Sequence, residues 1–318
     1  MSQEVATRDA YGDALAKLGE VRQDLVVLDG DLSGSTKTGV FGKKFPDRFF
    51  DLGIAEQNIM CAAAGFAMSG KLPFVSTFAV FAPGRCFDQI RLQVAYNNLN
   101  VKIVTTHAGI TTGEDGASAQ ALEDVAAVRA VANMTVIVPA DGPETEAAVF
   151  AAAEHQGPVY MRLGRAKVPV IYKDGCDFKI GRASLLRDGK HAAIIACGVM
   201  VAEALEAADK LSSRGIEARV LDMATVKPVD AEAVARAAEE TGAIVTAEEH
   251  NILGGLGSAV AEVVGETKPV PIQRVGIRDV FGRSGSPREL MERYGLTSKD
   301  IAAAVEKVIG RKSQLMRR

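Results

Sequence analysis

Long apolar runs are missing from this chain: no stretch approaches the roughly 20 residues of a membrane span. Its opening, Met1-Ser-Gln-Glu-Val-Ala-Thr-Arg8, has no apolar core of a signal peptide. Charge of one sign is scarce as well. Lys and Arg number 37 against 40 Asp and Glu, a net −3 with pI near 5.9. That balance gives no electrostatic case for nucleic acid or an anionic membrane surface. Cysteine is sparse, and the four present (Cys61, Cys86, Cys176, Cys197) show neither metal spacing nor a disulfide framework. Free buried thiols in a reducing cytoplasm are the expectation. No internal repeat or low-complexity segment is evident. What remains is a soluble globular composition, 47% hydrophobic and 24% charged, over 318 residues, long enough for two domains.

Short apolar strands alternate with helices along the first half. Strands are expected at 24–29, 73–78, 101–107, 135–139 and 159–162, with helices at 6–18 (capped by Thr7), 85–97, 121–132 and 144–155. Such alternation predicts a parallel sheet with helices on both faces, a first domain over 1–165. Prolines, charges and Gly175 mark 166–189 as a linker. A second α/β alternation over 190–318 forms the other domain, with Gly254-Gly-Leu-Gly-Ser258 opening a helix. That glycine cluster reads either as an anion-holding helix start or as a tight packing turn.

The segment Asp51 to Gly70 organises the rest. After a short strand and a turn at Gly53, Ile59, Ala62, Ala63, Phe66 and Ala67 recur at the period of a buried helix. One carboxylate, Glu56, stands at its entry. It reads either as a helix-start acid favoured by the macrodipole or as a buried acid that needs a partner.

Several motifs stand in register along the chain. They are Ala6-Thr-Arg8-Asp-Ala-Tyr-Gly12, Asp29-Gly-Asp31 with Ser35-Thr36, Ile54-Ala-Glu56-Gln-Asn58, Ser76-Thr-Phe78-Ala-Val-Phe81 with Phe87-Asp-Gln-Ile-Arg91, and Gly113-Glu-Asp115-Gly116 with Leu122-Glu-Asp124. Together they resemble the transketolase family through most of the chain. The resemblance implies a thiamine-diphosphate-binding pyrimidine domain followed by a smaller transketolase C-terminal domain. Gly-Asp-Gly and the magnesium ligands of the family's N-terminal domain are not matched, and Gly30-Asp-Leu is not that motif. The chain therefore resembles the C-terminal subunit of a split transketolase. Diphosphate and magnesium sites are expected on a separate N-terminal subunit, without which it should be inactive, in a heterotetramer.

By the same resemblance Glu56 is the acid that hydrogen-bonds the cofactor's pyrimidine ring, work that needs a group able to hold a proton. Phe78 and Phe81 match the aromatic wall around that ring; ordinary core phenylalanine is the bland alternative. Asp31 matches an aspartate near the cofactor, or is simply a turn former. Arg8, Ser35, His107 and Arg165 match positions that hold the phosphate of a sugar substrate, chemistry suited to guanidinium forks. His107 is also a candidate for catalysis. Asp115 matches the aspartate that reads the hydroxyl beside the donor carbonyl. No metal ligand is expected on this chain. Ala119 stands where the family usually places histidine or glutamine, which puts the sugar in doubt but not the reaction class. The rival readings are the beta subunit of a 2-oxo acid dehydrogenase, a piece of a deoxyxylulose-phosphate synthase, and a non-catalytic scaffold.

Overall fold

Strands β1 (Glu4–Ala6), β2 (Leu25–Asp29), β3 (Phe49–Asp51), β4 (Leu72–Phe78), β5 (Lys102–Thr106), β6 (Thr135–Ile137), β7 (Val159–Arg162) and β8 (Lys167–Pro169) lie in the first half of the computed structural model, which describes residues 3–315. The second half holds β9 (Ser184–Arg187), β10 (Ala192–Ala196), β11 (Ala218–Asp222), β12 (Thr225–Lys227), β13 (Ile244–Asn251) and β14 (Ile272–Ile277). The first sheet runs β12-β6-β7-β5-β4-β2-β3. Every neighbouring pair from β6 to β3 is parallel.

Both faces of that sheet are covered, which is why its central strands are rich in apolar residues; all of Leu25–Asp29 is buried. Helix Thr7–Val21 packs Tyr11, Leu15 and Leu18 on one side, joined by Ala148 and Val149 of helix Gly142–Glu154. Ile59, Met60 and Ala63 of helix Glu56–Met68 cover the other, with Ile90 and Val94. Ala62, Phe66 and Ala67 pack beside them, so the expected face is the one that is buried.

The second sheet, β14-β13-β10-β11-β9, is parallel apart from its edge strand β9. The stretch 166–189 contributes two strands: β8 pairs with β1, and β9 joins the second sheet. Strand β12 returns from the second half to pair antiparallel with β6. The outer ends of the two-domain division, residues 1–2 and 316–318, lie outside the described residues.

Local details differ from the sequence expectation. Of the four free cysteines Cys86 and Cys197 are buried, but Cys176 is half-buried and Cys61, on the outer side of its helix, is exposed. Ala6, not Thr7, is the N-cap of the first helix, and the Thr7 hydroxyl accepts the Gly164 amide at 2.9 Å. The helix expected at 85–97 starts at Phe81, kinks at Cys86 and continues over Gln89–Ala95 in wider π turns. That change of phase leaves Phe87 and Leu92 exposed, while Ile90 and Val94 stay buried. At the glycine cluster the turn is tightly packed, a Cβ on Gly254 or Gly257 meeting Ala126 or Thr246, and a carboxyl group of the protein's own sits on the helix start. Glu248 accepts the amides of Leu256 and Gly257 at 2.7 and 2.8 Å, and a Cβ on Gly255 would run into that carboxylate. Strand β14 and helix Pro287–Tyr294 were not expected, although the latter has a full capping box of Ser286 and Glu289. Among the described residues no helix is long and apolar enough to cross a membrane.

Candidate active site at the strand ends

Parallel strands put their carboxyl ends on one edge of a sheet, where open α/β folds bind ligands. Six of the sequence candidates arrive there. Asp31 follows β2, Glu56 follows β3, Phe78 ends β4 with Phe81 just beyond, His107 follows β5 and Arg165 follows β7. Arg8 joins them from the first turn of helix Thr7–Val21, Ser35 from the short helix Ser33–Thr36, and Asp115 from the loop after β5.

The turns that carry them are bolted together. Asp29, buried at the end of β2, accepts the Leu32 amide and the hydroxyls of Thr36 and Thr38 at 2.7, 2.7 and 2.8 Å. Asp51 accepts the amides of Asp31 and Gly53 at 3.0 and 3.1 Å, so the loops after β2 and β3 hold one another. Asp31 itself is exposed at φ +61°, and its amide is what this bond holds.

From Glu56 a continuous file of contacts crosses the edge. Glu56 is 6% exposed, and its Oε1 accepts Arg85 Nη1 at 2.6 Å. The Arg85 guanidinium carbon lies 3.7 Å from the centroid of the Phe81 ring. Phe81 stacks on Phe78 at 5.6 Å and 18°, and Phe78 stacks on His107 at 3.9 Å and 21°. His107 Nε2 then lies 3.5 Å from Arg8 Nη1, which also donates to the Ser35 carbonyl at 3.1 Å. The fold thus presents the carbonyl of Ser35, rather than its hydroxyl, to Arg8.

Burial pushes the His107 imidazole down to about 3, with Arg8 and Arg165 adding to the effect. The ring is neutral at physiological pH. A guanidinium only donates, so Nε2 is the acceptor and the proton sits on Nδ1, facing the Thr106 hydroxyl at 2.9 Å. His107 holds a left-handed backbone, φ +58°, a conformation that is costly away from glycine and concentrates at functional sites. Arg8 is lowered chiefly by burial, with Arg165 nearby contributing. Its Nε is buried without a hydrogen-bond partner among the described residues, so this guanidinium retains donor capacity for an anion.

Arg165 donates to the Thr112 carbonyl at 2.7 Å and reaches Glu114 and Asp115 at 3.1 and 3.7 Å. The loop that carries Asp115 is fastened from the second domain. Glu249 Oε1 accepts the Thr111 amide at 2.6 Å, and Gln120 Nε2 donates to the Gly113 and Arg283 carbonyls at 3.2 and 2.9 Å. Gly109, at φ +77°, lies so close to Glu249 that any Cβ would collide with it. Beneath the loop, buried Arg162 bonds Asp124 at 2.9 Å and donates to the carbonyls of Ala121 and Glu249.

Comparison with known proteins identifies both halves of the chain. The pyrimidine-binding domain of transketolase matches residues 3–170, and the transketolase C-terminal domain matches 181–301. The chain belongs to the transketolase family. It carries the C-terminal section of such an enzyme, of the kind that split transketolases encode as a separate chain, in a family that depends on thiamine diphosphate. It is 48% identical over 301 residues to a putative transketolase C-terminal section of Methanocaldococcus jannaschii, covering 94% of each chain. A 6-deoxy-6-sulfo-D-fructose transketolase subunit of a Clostridium species is 45% identical, covering 96% of this chain and 95% of that one. A solved split-gene transketolase, described as an inactive β4 tetramer, superimposes with TM-score 0.91 at 54% identity, over 97% and 99% of the two chains.

Within this transketolase section the fold brings Arg8, Ser35, His107, Asp115 and Arg165 into one polar cluster and joins it to Glu56 through the aromatic file. Arg85, Gln120, Glu249 and the Arg162–Asp124 pair were not assigned roles from the sequence. For Arg85 a signal was available: it follows Phe81 by four residues, the spacing of facing side chains on a helix. Gln120 and Glu249 act across the domain boundary, and no local spacing announces that.

Proposed function

We propose that this chain is the C-terminal subunit of a thiamine-diphosphate-dependent transketolase, moving a two-carbon ketol unit from a ketose phosphate to an aldose phosphate. A separate N-terminal subunit supplies the diphosphate and magnesium sites, and the active assembly is a heterotetramer in the cytoplasm. The observation that carries this reading is the file from buried Glu56 across two phenylalanines to the His107–Arg8 cluster. Glu56 can hold or give a proton at a ring nitrogen, and the face of Phe81 can take a flat, electron-poor ring. The present occupant of both supports the fit: the Arg85 guanidinium is itself a planar N–C–N cation, lying on Phe81 and donating to Glu56.

Thiamine diphosphate, when bound, supplies the nucleophilic carbon that breaks and makes the carbon–carbon bond. This chain's residues bind and orient. Glu56 holds a proton at the pyrimidine ring, and Phe78 and Phe81 wall it, a stack worth about 1 kcal/mol beyond burial. Asp31 would lie near the same cofactor. Arg8 and Arg165 grip the sugar phosphate by charge-assisted hydrogen bonds. Neutral His107 offers a polar edge without adding charge, and Asp115, steadied beside Arg165, takes a hydroxyl of the donor. A basic cluster for phosphate favours this reading over a dehydrogenase beta subunit.

A second reading concerns the sugar. Ala119 offers no side-chain donor, and two relatives carry names for other ketoses, 6-deoxy-6-sulfo-D-fructose and apulose 4-phosphate. The donor ketose here is then one whose binding does not need that donor. The test is turnover of the chain mixed with its N-terminal subunit, thiamine diphosphate and magnesium, on xylulose 5-phosphate plus ribose 5-phosphate and on a panel of other ketose phosphates. Turnover that needs both chains supports the proposal. A stable complex that turns over no ketose phosphate overturns it.

A further inference from the structure

Arg85 satisfies at once the two groups assigned above to the cofactor's pyrimidine ring. Its Nη1 sits 2.6 Å from Glu56 Oε1, and its guanidinium carbon is 3.7 Å from the Phe81 centroid. Two planar groups cannot share one face of a phenyl ring and one carboxylate oxygen. We infer that Arg85 is a positioning residue that competes with the pyrimidine ring, holding Glu56 and Phe81 in place until the ring displaces it. The inference rests on the reading of Glu56 and Phe81 under Proposed function.

The surroundings suit a side chain that swings while its backbone stays. The Arg85 carbonyl accepts Gln57 Nε2 at 2.9 Å, which ties its main chain to the first turn of the Glu56 helix. The side chain itself is 45% exposed, whereas that of Glu56 is 6%. Solvent can therefore receive the guanidinium when it leaves, but not the carboxylate. Gly84 has open space around it, and Cys86 departs from helical geometry (φ −131°, ψ 33°), so Arg85 lies between a side-chain-free residue and a kink. A buried carboxylate without a partner is costly. Arg85 removes that cost in the absence of the ring and so weakens the ring's net binding, while keeping the carboxylate aimed.

The test is calorimetric titration of thiamine diphosphate, with magnesium, into the complex of this chain with its N-terminal subunit. Arg85→Met, which keeps the apolar stem on Phe81 and loses the charge, should bind the cofactor about tenfold more tightly than wild type, the removal of one charge-assisted competitor. Arg85→Lys, a cation without the planar face, should fall between them and serves if the methionine variant folds poorly. Thermal unfolding supplies a second reading. Without cofactor Arg85→Met should melt below wild type; at saturating cofactor the order should level or reverse, because ligand stabilisation follows affinity. A merely structural ion pair would keep the same order in both conditions. Cofactor affinity unchanged or weaker in Arg85→Met overturns the inference and leaves the function standing, provided wild type binds. Binding to no variant, wild type included, overturns both.

Discussion

Phe78 and His107 lie face to face, ring centroids 3.9 Å apart with planes 21° from parallel. Phe78 also stacks with Phe81, and His107 lies 3.5 Å from Arg8, so Phe78 touches both the second phenylalanine and the basic cluster. A single phenylalanine therefore couples the place where a ring would stack to the place where a phosphate would be held. The imidazole in that stack is neutral, kept so by burial and by the two arginines nearby.

That neutrality has a pH consequence. His107 in the folded chain is lowered to about 3, while an unfolded histidine titrates near 6.5. Between those values the unfolded state binds more protons, so the contribution is present above pH 6.5 and is lost as pH falls toward 3. Thermal unfolding across that window should show wild type losing stability faster than His107→Gln. Parallel curves would mean that the folded histidine is protonated.

Asp222 predicts the opposite slope. It is buried, raised to about 7 by burial, and accepts the Tyr172 hydroxyl at 2.9 Å. Its neighbour Glu144 is raised by the same burial and by Asp222 itself. A folded carboxyl that titrates above its unfolded value contributes stability that is full below about pH 4 and is lost as pH rises through 7. Asp222→Asn should remove that slope, so its melting temperature gains on wild type from pH 4 to 7 and runs parallel above. A constant difference over that range would contradict the assignment.

The Arg162–Asp124 pair lies where the two domains meet, since Arg162 also donates to the Glu249 carbonyl. Breaking a buried pair leaves a charge without its partner, at a cost of about 3–5 kcal/mol. Asp124→Ala should lose that much in urea unfolding. Replacing both residues with apolar ones of similar volume should cost less than either single change.

Arg8 and Arg165 should act on phosphate, not on chemistry. Removing one charge-assisted partner of a phosphate is worth about 1.5–3 kcal/mol. Arg8→Ala or Arg165→Ala should therefore cut kcat/KM for sugar phosphates by about 10- to 150-fold in the two-subunit enzyme, mostly through KM. An unphosphorylated ketose should hardly distinguish the variants from wild type. An equal loss on both substrates would place these arginines elsewhere.

The layered architecture was legible because buried parallel strands are rich in apolar residues on both faces, as Leu25–Leu28 is, and because such strands alternate with helices along the chain. Glu56 was legible as a lone acid before an apolar helix, and the family motifs supplied its companions. Contacts made at a distance were not. Thr7 reads as a cap until its hydroxyl meets Gly164, 157 residues away. Arg85 reads as a helix-start cation until Glu56 and Phe81 close around it. The kink at Cys86 and the π turns over Gln89–Ala95 break the 3.6-residue period by which helix faces are read, and of four apolar residues there Ile90 and Val94 are buried while Phe87 and Leu92 are exposed. Helix Pro287–Tyr294 is a different case, since its capping box was in the sequence to be read.

If Glu56 activates the cofactor, the exchange of the thiazolium C2 proton for deuterium reports it without any sugar. In the two-subunit complex loaded with thiamine diphosphate and magnesium, wild type should exchange fast. Glu56→Gln, which keeps a hydrogen bond and loses the proton, should be slower by about 10²–10⁴-fold. Equal exchange in the two complexes, with cofactor bound in both, would show that Glu56 is not the activating acid.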